Sequence, residues 1–305
     1  MYVFIINPNA GNGRAIHIFE KLQKSALFQQ LESRYYYTEY EGHAEEITAS
    51  CATEKGITRL VVIGGDGTIH EVMNGLGESS MLIGFIPGGS GNDFARGVEI
   101  KGKPEAILKE IIDGENRIDY WLGNYIHDDN QERHFVNSMG FGFDAQTAHT
   151  ANHSFYKRIF NNLQIGTASY IIAILQVLTK FKPMKIEISI DGEKRIIDNC
   201  LLISIGNHPY YGGGMKIMPN ANVQPEKFSV LIVHSVPKWK VLALFMTVFT
   251  GKHDKISGVE LLEAKSLRIN SAEPIYTQVD GQTSTCYTSE ITKQKKSVQI
   301  LSTGK

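Results

Sequence analysis

Three short turns, each following an apolar run, constrain this chain more than any other feature. They are "NPNAGNG" after "YVFII" (2–6), "GGDGT" after "VVI" (61–63), and "PGGSGND" after "GFI" (84–86). A chain that leaves a buried strand through such turns gives up rigidity and apolar surface. It gains backbone N–H groups that a ligand can approach with no Cβ in the way, and helix N-termini favour anions. One such turn is explained by tight geometry alone. Three at successive strand ends of one sheet imply a cradle for an oligophosphate, because open α/β sheets bind ligands beyond the carboxyl ends of their strands.

The turns sit in a regular alternation. After the strand at 2–6 comes a helical pattern over 14–32, through Ile16, Phe19, Leu22 and Leu27. "RYYYTEY" follows as strand and "HAEEITASCATEKG" as helix, then "RLVVI" (strand), "TIHEVMNGL" (helix), "MLIGFI" (strand), the loop "PGGSGNDFARG", and a helix near 104–113 ending at Gly114. Short apolar strands alternating with helices specify a parallel sheet with helices on both faces. From about residue 117 the pattern turns to successive strands. The Asp191-Gly192 pair marks a hairpin inside "EISIDGEKRII". Two helices are expected near 155–181 and 237–249. The expected organisation is an α/β domain over 1–120 and a β-rich domain over 121–290, which the resemblance given below makes the nucleotide-binding and the lipid/acceptor-binding domain. Residues 291–305, with the strand "SVQIL", are a candidate to pack back onto the first domain.

Bulk properties narrow the function. The net charge of −1 over 305 residues gives no basic field for nucleic acid, and "KQKK" and "KWK" are too short to change that. Cys51, Cys200 and Cys286 are odd in number, distant in sequence and without CxxC spacing. They read as buried small hydrophobes in a reducing, cytoplasmic setting rather than as disulfides or zinc ligands. The N-terminal apolar run ends at Asn7-Pro8 and reads as a strand, not a signal peptide. "SYIIAILQVLTKF" (169–181) and "VLALFMTVF" (241–249) fall short of a membrane span. There is no GxxxxGK[ST], and GxGxxG fails around Gly65 because position 70 is His70.

At these residues the chain resembles the diacylglycerol kinase catalytic family, which includes bacterial soluble lipid kinases and sphingosine and ceramide kinases. The NAD kinases, which share GGDGT, are more distant. "NPNAG", "TEYEGHAEE", "GGDGTIHEVMNG" and "PGGSGNDFAR" match its ordered nucleotide-binding segments. "GNHPYYGGGMKIMPNA" (206–221), "TGKH" (250–253) and "QVDGQ" (278–282) match later ones, so the resemblance spans essentially the whole chain. It implies an α/β first domain with a parallel sheet, NAD kinase/diacylglycerol kinase-like, and a mainly antiparallel β-sandwich second domain. It also implies ATP with Mg²⁺, and transfer of the γ-phosphate to a lipid hydroxyl, with diacylglycerol giving phosphatidic acid as the leading acceptor. A NAD kinase-like enzyme and a nucleotide-binding paralogue with little activity are the alternatives.

The resemblance also distributes roles. Asn7, Pro8, Asn9, Ala10 and Gly11 line the nucleotide site, with Thr38 before the "HAEE" helix. Gly65, Asp66, Gly67, Thr68, Ile69, His70 and Glu71 wrap the phosphates, and Ser90, Asn92 and Asp93 complete the third loop. Ser90 stands where the family usually has Thr and keeps the hydroxyl. Asp66 holds Mg²⁺ or positions the acceptor, and as a plain turn residue it would cap the helix starting at Thr68. The family's catalytic DGE reads Asp280-Gly281-Gln282 here. Gln282 cannot take a proton at neutral pH, which for a sole general base means a loss of about 10²–10⁴-fold. Asp280 is the remaining candidate base. As a structural element it is the aspartate of a β-turn. Gln224-Pro225-Glu226 and Ser229 replace the acidic set that holds a structural Mg²⁺ in relatives, so that metal is expected to be absent or altered.

The acceptor is expected in the cleft between the domains or inside the β domain, with the 169–181 helix and "GFGFDAQTA" lining an apolar channel. "PKWKVLALFMTVFTGKH", with Trp239, is a candidate for transient contact with the inner membrane face. No nucleic-acid partner is expected, and a homodimer is left open.

Overall fold

The computed structural model describes residues 1–153, 174–237, 240–241, 247–248, 251 and 253–303. Parts of the helices expected at 155–181 and 237–249, including Trp239, and parts of "TGKH" lie outside the described residues. By internal contacts the chain forms two compact units. The first is Met1–Leu122, Gly212–Gly214 and Gln294–Lys305, and the second is Gly123–Tyr211 and Met215–Lys293.

The first unit begins with β1 (Tyr2–Ile6), α1 (Arg14–Gln23), α2 (Ala26–Gln29), β2 (Ser33–Tyr37) and α3 (His43–Thr53). It continues with β3 (Arg59–Gly64), α4 (Asp66–Gly75), β4 (Leu82–Pro87), α5 (Asp93–Gly97), α6 (Pro104–Asp113) and β5 (Arg117–Tyr120), and takes the chain's last strand, β17 (Val298–Leu301). The sheet order is β2-β1-β3-β4-β17-β5. Every pairing is parallel except β17 with β5, so the sheet is mixed and mostly parallel. Val61, Val62 and Ile63 are fully buried because helices cover both faces, which is why β3 reads as a continuous apolar run rather than an alternating one.

Two local differences from the sequence pattern have simple causes. The helical stretch over 14–32 breaks in two at Ser25. Its hydroxyl donates to the Leu22 carbonyl (2.6 Å) and accepts the Phe28 N–H (3.3 Å), ending one helix and capping the next. "NDFARG" is a short helix rather than loop, entered through Asn92 in the left-handed region (φ 55°).

The second unit is antiparallel. It contains β6 (Gly123–His127), β7 (Arg133–Phe135), β8 (Ser138–Gly142), α7 (Phe143–His153), β9 (Met184–Ile190), β10 (Glu193–Gly206), β11 (Tyr210–Tyr211), β12 (Met215–Lys216), β13 (Phe228–His234), β14 (Val259–Ala264), β15 (Ser266–Val279) and β16 (Gln282–Lys293). The main path runs β14-β13-β10-β8-β15-β16-β6-β7, and β9 pairs with both β10 and β15. The long strands make that double pairing possible. One half of β10 pairs with β9 and the other with β8 and β13, with a register shift between Ile197 and Cys200. β15 behaves alike, with its shift between Asn270 and Ile275. Such bulges bend strands and let a sheet fold over its own core. Phe135, Met139, Phe141, Ile203, Phe228 and Ile269 fill that core. The other face, with Phe143, Leu201, Leu202 and Val233, packs with Ile174, Val177 and Phe181.

All three cysteines are free and buried. Among the described residues no helix is long and apolar enough to cross a membrane.

Candidate active site

In the first unit the three glycine turns come together. Gly11 is left-handed (φ 61°), and a Cβ there would stand 2.1 Å from the Gly88 carbonyl oxygen. A Cβ on Gly89 would stand 2.5 Å from the Gly65 Cα. Only hydrogen fits at these contacts, so close backbone approach explains the glycines as directly as ligand access does. The Gly64 carbonyl accepts the N–H groups of Gly88 (2.7 Å) and Gly89 (3.0 Å), locking the second turn to the third. Asn7 joins the first turn to the second, its Nδ2 donating to Thr68 Oγ1 (3.0 Å) while its Oδ1 accepts the Asn9 N–H (3.0 Å). Arg14 Nη1 donates to the Gly89 carbonyl (3.2 Å) from the first turn of α1. Ground over the first turn of α4 is open: a Cβ on Gly67 would meet nothing within 4 Å.

Asp66 does something its sequence position does not reveal. It is the first residue of α4, and that helix has no side-chain cap. Asp66 Oδ1 instead accepts the Phe94 N–H (2.9 Å), capping α5 from outside. Its Oδ2 faces Gly91, where a Cβ would lie 2.8 Å away. Asn92 pins the same loop, accepting the Gly89 N–H (2.9 Å) and donating to the Gly89 carbonyl (2.8 Å). Asp93 is buried. Its Oδ1 takes Arg96 Nη1 (2.9 Å) and its Oδ2 the Gly213 N–H (2.7 Å). Burial raises its carboxyl above the usual carboxylate range, with Gly213 and Arg96 pulling the other way.

The remaining first-unit candidates divide by exposure. Asn9, Gly67 and Ser90 are exposed, and Pro8, Ala10 and Gly65 are half-buried. Thr38 is buried, its N–H on the Ile6 carbonyl (2.9 Å). Ile69 and His70 are buried, so what they can offer an anion is backbone. Glu71 Oε2 accepts the Ala44 N–H (3.1 Å), capping α3.

In the second unit Asp280 sits at a two-residue hairpin turn between Val279 and Gln282, at φ 47°. Its carboxylate accepts three successive backbone N–H groups: Val136 (2.6 Å) on Oδ2, and Asn137 (2.7 Å) and Ser138 (3.0 Å) on Oδ1. A buried polar network holds that segment. Asn207 Nδ2 donates to the Val136 carbonyl (2.7 Å), and Lys293 Nζ donates to Asn207 Oδ1. His208 Nδ1 accepts the Tyr210 N–H (3.2 Å), which leaves Nε2 to donate to Asn137 Oδ1 (2.9 Å). Burial drives His208 down to about 4 and Lys293 down to about 7. His208 and Lys293 were not anticipated from the sequence. "GNH" within a strand-end pattern was the available signal for the first, while Lys293 reads as one more surface lysine.

Gln282 is exposed at the start of β16. Around the altered acidic segment, Gln224 Nε2 donates to Glu263 Oε1 (3.0 Å) and Lys265 Nζ pairs with Glu226 (2.8 Å).

A mostly parallel α/β unit with three glycine turns joined at its strand ends, and an antiparallel unit folded over its own core, define the class of fold. Comparison with known proteins fixes the family. Residues 1–120 match the diacylglycerol kinase catalytic domain, and residues 137–301 match the YegS C-terminal NAD kinase β-sandwich-like domain. A Bacillus subtilis (strain 168) protein named "Putative lipid kinase YtlR" is 35% identical over 288 residues, covering 92% of this chain and 93% of that protein. A diacylglycerol kinase of Mycobacterium tuberculosis (strain H37Rv) is 28% identical over 97% of this chain and 93% of its own length. The solved structure of a diacylglycerol kinase from Bacillus anthracis str. Sterne superposes with a TM-score of 0.70 at 19% identity, covering 99% of this chain and 96% of that one, a likeness of fold. This chain belongs to the diacylglycerol kinase catalytic-domain family, a family of lipid kinases.

Proposed function

We propose that this chain transfers the γ-phosphate of ATP to the primary hydroxyl of a membrane lipid, 1,2-diacylglycerol first, giving phosphatidic acid. The single observation that carries the nucleotide half is the junction of three glycine turns over an open α4 N-terminus, with Asp66 beside it. Backbone N–H groups at a helix start suit phosphates. Mg²⁺ is commonly held by one or two carboxylates plus the substrate phosphates. Asp66 Oδ2 and the open ground over Gly67 fit that donor set. When bound, Mg²⁺ would neutralise charge on the phosphates. Arg14, already fixed on Gly89, lies in the same turn cluster as a second source of positive charge.

On the acceptor side the reading gives Asp280 the task of orienting the lipid hydroxyl. A carboxylate gripped by three N–H groups is well placed in space, and phosphoryl transfer depends chiefly on placement and charge stabilisation. The diacylglycerol kinase names of relatives support the acceptor. The enzyme would work in the cytoplasm and touch the inner membrane face transiently. The test is [γ-³²P]ATP transfer in detergent micelles against a panel of diacylglycerol, sphingosine, ceramide and NAD. Label in phosphatidic acid supports the reading. Label in NAD alone would replace it with the NAD kinase alternative.

One observation favours a second reading, a nucleotide-binding protein with weak turnover: Gln282 stands where the family's glutamate is expected. Under that reading Gln282→Glu raises lipid phosphorylation by about 10²-fold or more. Equal rates in both forms would exclude it.

A further inference from the structure

Behind the Asp280 turn, on the sheet face covered by α7, the second unit buries several polar atoms that have no partner among the described residues. Ser204, Gly140 and Gln278 lie side by side across β10, β8 and β15, since Gly140 is in register with both of the others. Gly140 leaves the space between them empty of side chain. Asp144, in the first turn of α7, comes down into it, and a Cβ on Gly140 would stand 2.1 Å from Asp144 Oδ2 and 3.2 Å from Gln278 Nε2. Ser204 is fully buried, Gln278 is 1% exposed and Asp144 is 5% exposed. Yet Ser204 Oγ, Gln278 Nε2 and Asp144 Oδ1 lack hydrogen-bond partners.

The orientation of the Gln278 amide is not arbitrary. Its Oε1 accepts the Gly281 N–H (3.0 Å), so Nε2 must point the other way, toward Gly140. Tyr211 lies at 3.5 Å from Asp144 Oδ2, which leaves Oδ1 open. Buried polar atoms are almost always satisfied, and each one left bare is unfavourable. Three around one glycine leave unused hydrogen-bonding capacity that an oxygen atom would satisfy.

We propose that this cluster is a recognition site for an oxygen of the acceptor lipid's head, an ester carbonyl next to the hydroxyl that is phosphorylated. The proposal rests on the lipid kinase reading above. Gln278 Nε2 donates to that oxygen, and Ser204 and Asp144 complete its hydrogen bonds. Gly140 lies two residues along β8 from Ser138, whose N–H holds Asp280, and Gln278 lies two residues before Asp280 on β15. At about 3.3 Å per residue the separation is roughly 7 Å, on the scale of a glycerol head. The Asp144 carboxyl, pushed up to about 7 by burial against hydrogen bonds from its own N–H, the Ala145 N–H and Tyr211, can meet a carbonyl as a donor.

The test uses Ser204→Ala, which removes an unpartnered oxygen and should not lower the melting temperature, and Asp144→Asn as a second variant. With 1,2-dioctanoylglycerol as acceptor, each raises the acceptor KM about two- to tenfold, the worth of one hydrogen bond, and leaves the ATP KM where it was. A further acceptor tests the carbonyl. On 1,2-dioctylglycerol, which lacks ester carbonyls, the variants lose their penalty; a penalty that persists there overturns the proposal. An unchanged acceptor KM in both variants, or equal changes in acceptor and ATP KM, overturns the proposal and leaves the cluster as a buried water site. If the wild-type protein phosphorylates neither of these acceptors, the lipid kinase reading fails on its own. The site is then judged by calorimetric titration of 1,2-dioctanoylglycerol: weaker binding to Ser204→Ala upholds it, and equal binding or none refutes it.

Discussion

Asp280→Asn separates a carboxylate that shapes the fold from one that only serves chemistry. The native carboxylate takes three backbone N–H groups, from Val136, Asn137 and Ser138, at 2.6–3.0 Å. An asparagine that keeps its oxygen on Asn137 and Ser138 turns its NH₂ toward the Val136 N–H, donor against donor. The Val136 bond is lost, worth about 1.5–3 kcal/mol for a charged acceptor, and the other two fall to neutral strength, about 1 kcal/mol less between them. The expected destabilisation is about 2.5–4 kcal/mol. For a unit of this size that lowers the melting temperature by about 5–16 °C, read by circular dichroism on the whole chain. Lipid phosphorylation should fall as well, with ATP affinity retained. A melting temperature within 1 °C of wild type would refute the reasoning, because it would mean the three N–H groups have equally good partners without the carboxylate.

Other consequences are as direct. Gly11→Ala combines a left-handed backbone with a Cβ 2.1 Å from the Gly88 oxygen and should cost about 2–5 kcal/mol, whereas Gly13→Ala, left-handed with nothing within 4 Å, should cost about 1–2 kcal/mol; urea midpoints compare the two. Lys293 is held at about 7 when folded against 10.5 as its ordinary value, so the unfolded chain binds more protons between those limits and stability rises with pH across the window. Lys293→Met should flatten that rise, by at most about 4–5 kcal/mol, in urea melts at pH 7, 8.5 and 10. His208, buried neutral at about 4 against 6.5, makes the folded state lose stability as pH falls from 6.5 toward 4, and His208→Gln should shallow that acid limb by up to about 3 kcal/mol in the same assay.

What the sequence disclosed and what it hid follow from the range of the interactions. The three glycine turns were legible because each is local, a short segment between an apolar strand and a helix. The Asp280-Gly281 hairpin was legible for the same reason. The plain structural alternative for Asp66 was a cap on its own helix, because a cap is normally local, but its partner is the Phe94 N–H, 28 residues on. Glu71 was read only as part of the phosphate wrap, and the cap its side chain places on α3 at Ala44 was not legible, since the two residues are 27 apart in sequence. The buried cluster around Gly140 was out of reach, since Ser204, Asp144 and Gln278 become neighbours only through strand register and the descent of α7. Gln282 and the 224–226 segment were visible as departures only against a family pattern. Nothing in their own chemistry distinguishes them from ordinary surface residues.

The route of the chain makes this protein hard to cut. It passes from one unit to the other after Leu122, returns for Gly212–Gly214, leaves again, and comes back at Gln294. A fragment ending at Leu122 would forfeit β17, stripping β4 and β5 of their shared neighbour and baring the Ile83 side of the sheet as an unpaired, sticky edge. Domain shuffling by simple truncation is closed to such a topology, and a stable first unit would have to be stitched together with its C-terminal strand restored.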